Sequence, residues 1–161
     1  MEKPKVRSAK FSDIPEIVRL CKEALKRSKY AAFADLSETE LKTQLMTCIN
    51  MQGEAKAGST IVIVADNGVC LEGCLIAVIR PLYEVLTANV ATDLFTYAQQ
   101  GAHGQTGFRL IRAMHRWARK SETKTLIRHA TSDAIEDQES VGRLFRRQGM
   151  KQVAAIFEKE N

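Results

Sequence analysis

Residues Asn89–Lys120 read NVATDLFTYAQQGAHGQTGFRLIRAMHRWARK, and the fold is decided there. The stretch from Asn89 to about Tyr97 is rich in β-branched and aromatic residues and reads as a strand. A loop with three glycines follows, Gln100-Gly-Ala-His-Gly-Gln-Thr-Gly107, and then a helix from Phe108 to Lys120. Phe108, Ile111, Met114 and Trp117 recur on one face of that helix, with Arg109, Arg112, Arg116 and Arg119 on the other. Glycine lets backbone N–H groups turn inward and lets a ligand come close. The helix start adds unpaired N–H donors and the positive end of its dipole. Strand, glycine loop and basic helix together imply a phosphate-bearing small molecule, held by its pyrophosphate. The loop contains neither GxxxxGK[ST] nor GxGxxG, so it matches neither the P-loop nor the dinucleotide fingerprint.

The flanking sequence extends this unit into an α+β domain. Lys5-Val6-Arg7-Ser8 reads as a short strand, followed by a helix capped at Ser12 or Asp13 with Ile14, Ile17, Val18, Cys21, Ala24 and Leu25 on its buried face. Ser37-Glu-Thr-Glu40 is a capping-box pattern that starts a second helix, which buries Leu41, Leu45, Cys48 and Ile49 and stops in Gln52–Ser59. Thr60–Ala65 is a β-branched run, Asp66-Asn67-Gly68 a hairpin turn suited to two positive φ values, and Leu71–Ile79 the returning strand. Arg80–Tyr83 breaks it, and a loop runs to Ala88. After the central unit come a strand at Thr125–His129, a helix at Gln138–Gln148 closed by Gly149, and a last strand at Val153–Phe157. The order β-α-α-β-β-β-α-β-α-β describes one domain over residues 1–161 with a mixed, mostly antiparallel sheet flanked by about four helices.

Composition narrows the class. With 161 residues and 45% hydrophobic content the chain can build a core. No apolar run approaches the ~18 residues of a membrane span, and the N-terminus lacks the apolar stretch of a secretory leader, so a cytoplasmic protein is expected. Cys21, Cys48, Cys70 and Cys74 form no CxxC pair, and the three histidines supply no ligand pair, so free thiols are expected and no metal site. The net charge is +5, yet Gly101–Lys151 alone holds eleven Lys or Arg against five Asp or Glu. The positive field therefore belongs to the C-terminal half, which suits an anionic small molecule. Aromatics make up only 6%, and the arginines alternate with a core stripe, so nucleic acid is the poorer partner.

The chain resembles the GNAT superfamily of acyl-CoA-dependent N-acetyltransferases over nearly its whole length. The family loop Arg/Gln-x-x-Gly-x-Gly/Ala falls on Gly101-Ala-His-Gly104-Gln-Thr106, with Gly101 and Thr106 as departures. Its preceding strand matches Leu94-Phe95-Thr96, and its late Tyr-x-x-x-Gly-Phe pattern matches Phe145-Arg-Arg-Gln-Gly149-Met150. Arg109-Leu-Ile, Trp117-Ala-Arg119 and Val141-Gly-Arg-Leu144 look closest to small bacteriophage members.

The resemblance implies an acetyl-CoA-dependent N-acetyltransferase acting on an amine acceptor (small molecule, peptide or protein), in a fold that often dimerises. It implies that Leu94, Phe95 and Thr96 line the thioester. Ala102, His103, Gly104, Gln105, Thr106 and Gly107 would hold the pyrophosphate, mainly through backbone. Phe145 takes the place of the tyrosine that often protonates the departing thiolate, and phenylalanine has no proton to give. Asp93, the one carboxylate on that strand, is the candidate base, directly or through water, against a solvent-facing edge residue. Tyr97, Tyr83 and His129 are candidates for the acid. Of these Tyr97 is preferred, and Tyr83 is assigned to the acceptor site. His115 reads as a structural or surface residue.

Overall fold

The computed structural model describes residues 3–130 and 138–154. They fall into two compact units, 1–130 and 131–161, each described by itself. The first holds strands β1 (Lys5–Ser8), β2 (Thr60–Asp66), β3 (Leu71–Pro81), β4 (Asn89–Ala98) and β5 (Thr125–Arg128), with helices α1 (Ile14–Arg27), α2 (Glu38–Asn50) and α3 (Thr106–Ala118). The second holds α4 (Gln138–Arg147). The strands lie in the order β1-β2-β3-β4-β5, antiparallel except for β4 with β5. This is the expected α+β class with a mixed sheet.

Both faces of the sheet are covered, which is why β2 (TIVIVAD) is buried along all but its last residue. Side chains alternate across a strand, and β3 shows which helix covers which face. A Cβ placed on Gly73 would lie 3.2 Å from the Leu110 side chain of α3 and 2.7 Å from the Tyr97 carbonyl oxygen. The next residue, Cys74, interacts with Cys21 of α1. Odd-numbered residues of β3 from Gly73 onward thus face α3, and even-numbered ones face α1. The α3 stripe is Leu110, Ile111, Met114, Trp117 and Ala118, and the Trp117 indole N–H donates to the Gly53 carbonyl at 3.1 Å.

Local chemistry explains the boundaries. Asp13 precedes α1 but does not cap it through its side chain. Its carboxylate accepts from the Lys10 N–H at 2.7 Å and from Arg7 at 2.7 Å. Arg7 also donates to Asp66 at 2.8 Å, so one guanidinium joins β1, the end of β2 and the helix start. Ser37 caps α2 as expected, its oxygen accepting from the Glu40 N–H at 3.4 Å.

Several boundaries differ from the sequence reading; β3, for one, continues past Ile79 to Pro81, and α3 ends at Ala118. The β2–β3 connection is not a two-residue Asn-Gly turn: only Gly68 takes a positive φ, at 89°. The Asn67 side chain instead accepts from the N–H groups of Val69 and Cys70, which lengthens the loop and leaves Cys70 off the strand. Helix α3 begins two residues early, because Thr106 is buried and hydrogen-bonded in its first turn. Helix α4 ends at Arg147 with Gly149 at φ 79°, and the Met150 N–H reaches back to the Phe145 carbonyl. Of the expected last strand, Val153 and Ala154 are irregular, and the remainder lies outside the described residues.

Candidate active site

The pairing of β4 changes twice at the same place. On one side Ile76 pairs with Phe95 and Ala77 with Asp93, so Leu94 is an extra residue, a bulge. On the other side the parallel ladder to β5 ends at Thr92 opposite Arg128. From Asp93 onward, that edge of β4 has no strand partner among the described residues. Leu94 sits where the opening begins and is 56% exposed.

The bulge also decides where side chains point. In a regular strand, residues three apart face opposite ways. With one inserted residue Asp93 and Thr96 share a face, opposite Ala77 and Leu75 and toward α3, while Phe95 and Tyr97 face α1. Thr96 Oγ1 accordingly donates to Asp93 Oδ2 at 2.9 Å. Asp93 Oδ1 lies 2.8 Å from Nδ1 of His129, just past the end of β5, and His129 Nε2 lies 2.8 Å from Nε2 of His115 on α3. The Asp93 side chain is 13% exposed and that of His129 0%. Asp93 is therefore not a solvent-facing edge residue. Burial, reinforced by His129 and Arg119, lowers the pKa of His115 to about 4, with Asp93 opposing, so its ring is neutral at neutral pH. His115 is buried, as a structural residue would be, but its partners lie on two other elements. Nothing in local spacing announces that meeting.

Tyr97 is on the other face. Its hydroxyl donates to Glu23 of α1 at 2.7 Å and accepts from Arg27 at 3.1 Å. Burial and the Glu23 carboxylate raise its pKa, against the pull of Arg27. The structure thus separates the two residues paired in the sequence reading: Asp93 faces α3, and Tyr97 is tied to α1.

The glycine loop runs from the end of β4 into α3, as expected, but several of its donors are already used. The Ala102 N–H donates to the Gln99 carbonyl, Thr106 to the His103 carbonyl, and Gln105 to the His103 ring at 3.2 Å. The His103 N–H donates to Glu72 at 3.2 Å, and the Thr106 hydroxyl donates to the same carboxylate oxygen at 3.2 Å. Asn67 holds the other oxygen at 2.9 Å. Glu72, on β3, is only 4% exposed. Burial pushes its pKa up, yet these donors outweigh burial and hold it below the usual carboxylate range. An internal anion thus occupies part of the loop, a feature that the sequence reading did not find.

Among the described residues, the N–H groups of Gly104, Gly107 and Phe108 have no acceptor. Neither Gly104 nor Gly107 needs its glycine for a positive φ, and a Cβ on either would meet nothing within 4 Å. Open space before unpaired donors at a helix N-terminus fits an anionic group such as a pyrophosphate. The donors present therefore suit a coenzyme A thioester, but over Gly104–Phe108 rather than the whole of Ala102–Gly107.

Tyr83 lies at the tip of the β3–β4 loop, 74% exposed, and both it and Glu84 take left-handed backbone, φ 55° and 62°. A groove of about 540 Å³, lined in part by Arg19, Lys22, Lys26, Glu38 and Lys42, runs along α1 and α2. Phe145 is buried on α4, in the second unit. Among the described residues the four cysteines are unbridged, no cluster could hold a metal ion, and no helix is long and apolar enough to cross a membrane.

No family model and no curated protein matches the chain by sequence. Solved structures do. An acetyltransferase from Trypanosoma brucei superposes with TM-score 0.68 at 12% identity, covering 98% of this chain and 99% of its own. Glucosamine-6-phosphate N-acetyltransferase from Arabidopsis thaliana gives 0.71 at 10% identity, covering 99% of each chain. A transcriptional regulator from Bacillus halodurans gives 0.70 at 18% identity, covering 98% of this chain and 99% of its own. At these identities the likeness is one of fold, and it extends over essentially the whole chain.

Proposed function

We propose that this chain, which has the GNAT acetyltransferase fold, moves an acetyl group from acetyl-CoA to an amine acceptor. The observation that carries the reading is the break in β4. An inserted Leu94, and, among the described residues, an unpaired strand edge from Asp93 onward and three unpaired N–H donors at Gly104, Gly107 and Phe108, lie along one continuous segment. Its extended edge suits a pantetheine arm and its helix start suits a pyrophosphate.

Acetyl-CoA would supply an acyl carbon activated as a thioester. The chain's own residues have three tasks. Backbone N–H groups at the bulge around Leu94 would stabilise negative charge on the carbonyl oxygen under attack. Asp93, directly or through a water, takes the proton that the amine must lose as its nitrogen bonds to carbon and the C–S bond breaks. Phe95, half-buried beside the bulge, excludes water from that edge. The acceptor, whether small amine, peptide or protein, would enter from the α1–α2 side and the Tyr83 loop, and a water at the open edge of β4 would carry its proton to Asp93 on the α3 face. The protein would work in the cytoplasm as one domain, and self-association is open to the fold.

A second reading, binding without turnover, has specific support. Glu72 puts negative charge beside the loop, Phe145 cannot donate a proton, and Tyr97 is committed to Glu23. Thiol release measured with acetyl-CoA and a panel of amines separates the readings. Release that depends on amine and is lost in Asp93→Asn supports transfer. Acetyl-CoA binding with no release from any amine supports the second reading. No binding at millimolar acetyl-CoA overturns both.

A further inference from the structure

We infer that His115 and His129 are positioning residues for Asp93, forming a buried relay in which His115 fixes the tautomer of His129 and His129 then holds and orients the Asp93 carboxylate. This rests on the proposed role of Asp93 as base. Its geometric content stands without it.

Two ring nitrogens 2.8 Å apart must be one donor and one acceptor. If His129 carries its single proton on Nδ1, that proton points at Asp93 Oδ1, also 2.8 Å away, and Nε2 is left with a lone pair. His115 must then carry its proton on Nε2 and donate. In the opposite arrangement His129 Nε2 donates to His115, and two lone pairs, those of Nδ1 and an ionised carboxylate, face each other. That arrangement requires a protonated Asp93. The remaining alternative, a doubly protonated His129, would pair an imidazolium with the Asp93 carboxylate, and the spectrum described below distinguishes it.

The groups around the rings favour the first arrangement. Burial and Arg119, just past the end of α3, oppose added positive charge on His115, while Asp93 on β4 favours it, and the balance leaves His115 neutral. Thr96 donates to the second oxygen of Asp93, so both oxygens are held by side chains and the carboxylate plane is fixed beside the bulge. A carboxylate oriented at both oxygens, by His129 and by Thr96, is ready to accept a proton from the open edge. Each member comes from a different place: β4, the residue after β5, and the third turn of α3. The relay therefore also registers the helix against β4 and the end of β5.

The test does not need activity. In a long-range proton–nitrogen correlation spectrum of ¹⁵N-labelled protein near pH 7, His129 should be protonated on Nδ1 only and His115 on Nε2 only. His115→Gln, whose amide can replace the Nε2–H donor, should keep the His129 pattern, and His115→Phe should lose it. His129 protonated on Nε2, or on both nitrogens, would overturn the inference, as would an unchanged His129 pattern in His115→Phe. Kinetics then separate the two ideas. If transfer occurs, His115→Phe should lower kcat on the order of 10-fold with KM for acetyl-CoA unchanged, and His115→Gln should restore it. The predicted tautomers without any transfer would sink the functional reading and leave the relay standing. Full turnover with reversed tautomers would do the opposite.

Discussion

Acidification should weaken this protein through His115 before its carboxylates titrate. In the unfolded chain His115 takes a proton near the ordinary 6.5, whereas the folded protein delays it to about 4. Between those values the unfolded state binds more protons, so stability falls as pH falls, and above about 6.5 the effect is absent. A gap of that size at ~1.36 kcal/mol per pH unit makes ~3 kcal/mol, the full cost being reached below about pH 4. His115→Gln cannot titrate but keeps a donor toward His129, and so isolates the effect. Thermal denaturation of both proteins from pH 7.5 to pH 4 should show the wild type losing ~6–12 °C more than the variant. Protonation of Asp13 and Asp66, both held below the ordinary range by hydrogen bonds (Arg7 first for Asp13, the Gly68 N–H first for Asp66), affects the two proteins alike and cancels. Parallel pH profiles would show that His115 is not buried as a neutral ring, and the reasoning about its partners would fail with it.

Other perturbations probe separate parts of the account. Gly73→Ala would place a Cβ 2.7 Å from the Tyr97 carbonyl, so urea unfolding should show a loss of ~1–3 kcal/mol; an unchanged midpoint would mean that β3 and β4 are less closely packed than described. Arg7→Met strands two carboxylates that share one guanidinium, and should cost ~1–3 kcal/mol by the same assay, against none if the cluster is merely a surface feature. Glu72→Gln keeps an acceptor for the loop but removes its charge, so calorimetric titration should show acetyl-CoA binding ~3–10-fold tighter. Equal or weaker binding would show that Glu72 organises the loop without repelling the ligand. Asp93→Asn should reduce any acetyl transfer by ~100-fold or more with binding retained, and retained turnover would remove Asp93 as base.

How much of this was readable beforehand depends on the range of the interaction. Helix α1 was legible because Ile14, Ile17, Val18, Cys21 and Ala24 repeat at helical spacing, and β2 because five β-branched and apolar residues follow Thr60. The glycine loop and the basic face of α3 were legible for the same reason, being local, although Arg109 turns back to donate to the Pro4 carbonyl instead of facing solvent. The bulge at Leu94 was not, since an inserted residue is defined by its partner strand and Leu94 looks ordinary in a β run. Asp93 was chosen as the carboxylate on that strand. Its partners, however, lie 22 and 36 residues away in sequence, at His115 and His129, and no periodicity connects them. Tyr97 was legible as a candidate acid, but its face was not: a regular strand would place it on the side of Asp93, four residues on, and the bulge reverses that. Glu72 was missed because a buried carboxylate on a central strand has no sequence mark until its donors are known.

Acetyl-CoA titrated into ¹⁵N-labelled protein, followed by amide chemical shifts, tests the central claim most directly. The account predicts saturable shifts at Leu94, the inserted residue of β4, and at Gly104, Gly107 and Phe108 at the start of α3, with smaller changes on α2. No shifts at millimolar acetyl-CoA, or shifts confined to the α1–α2 groove, would contradict it.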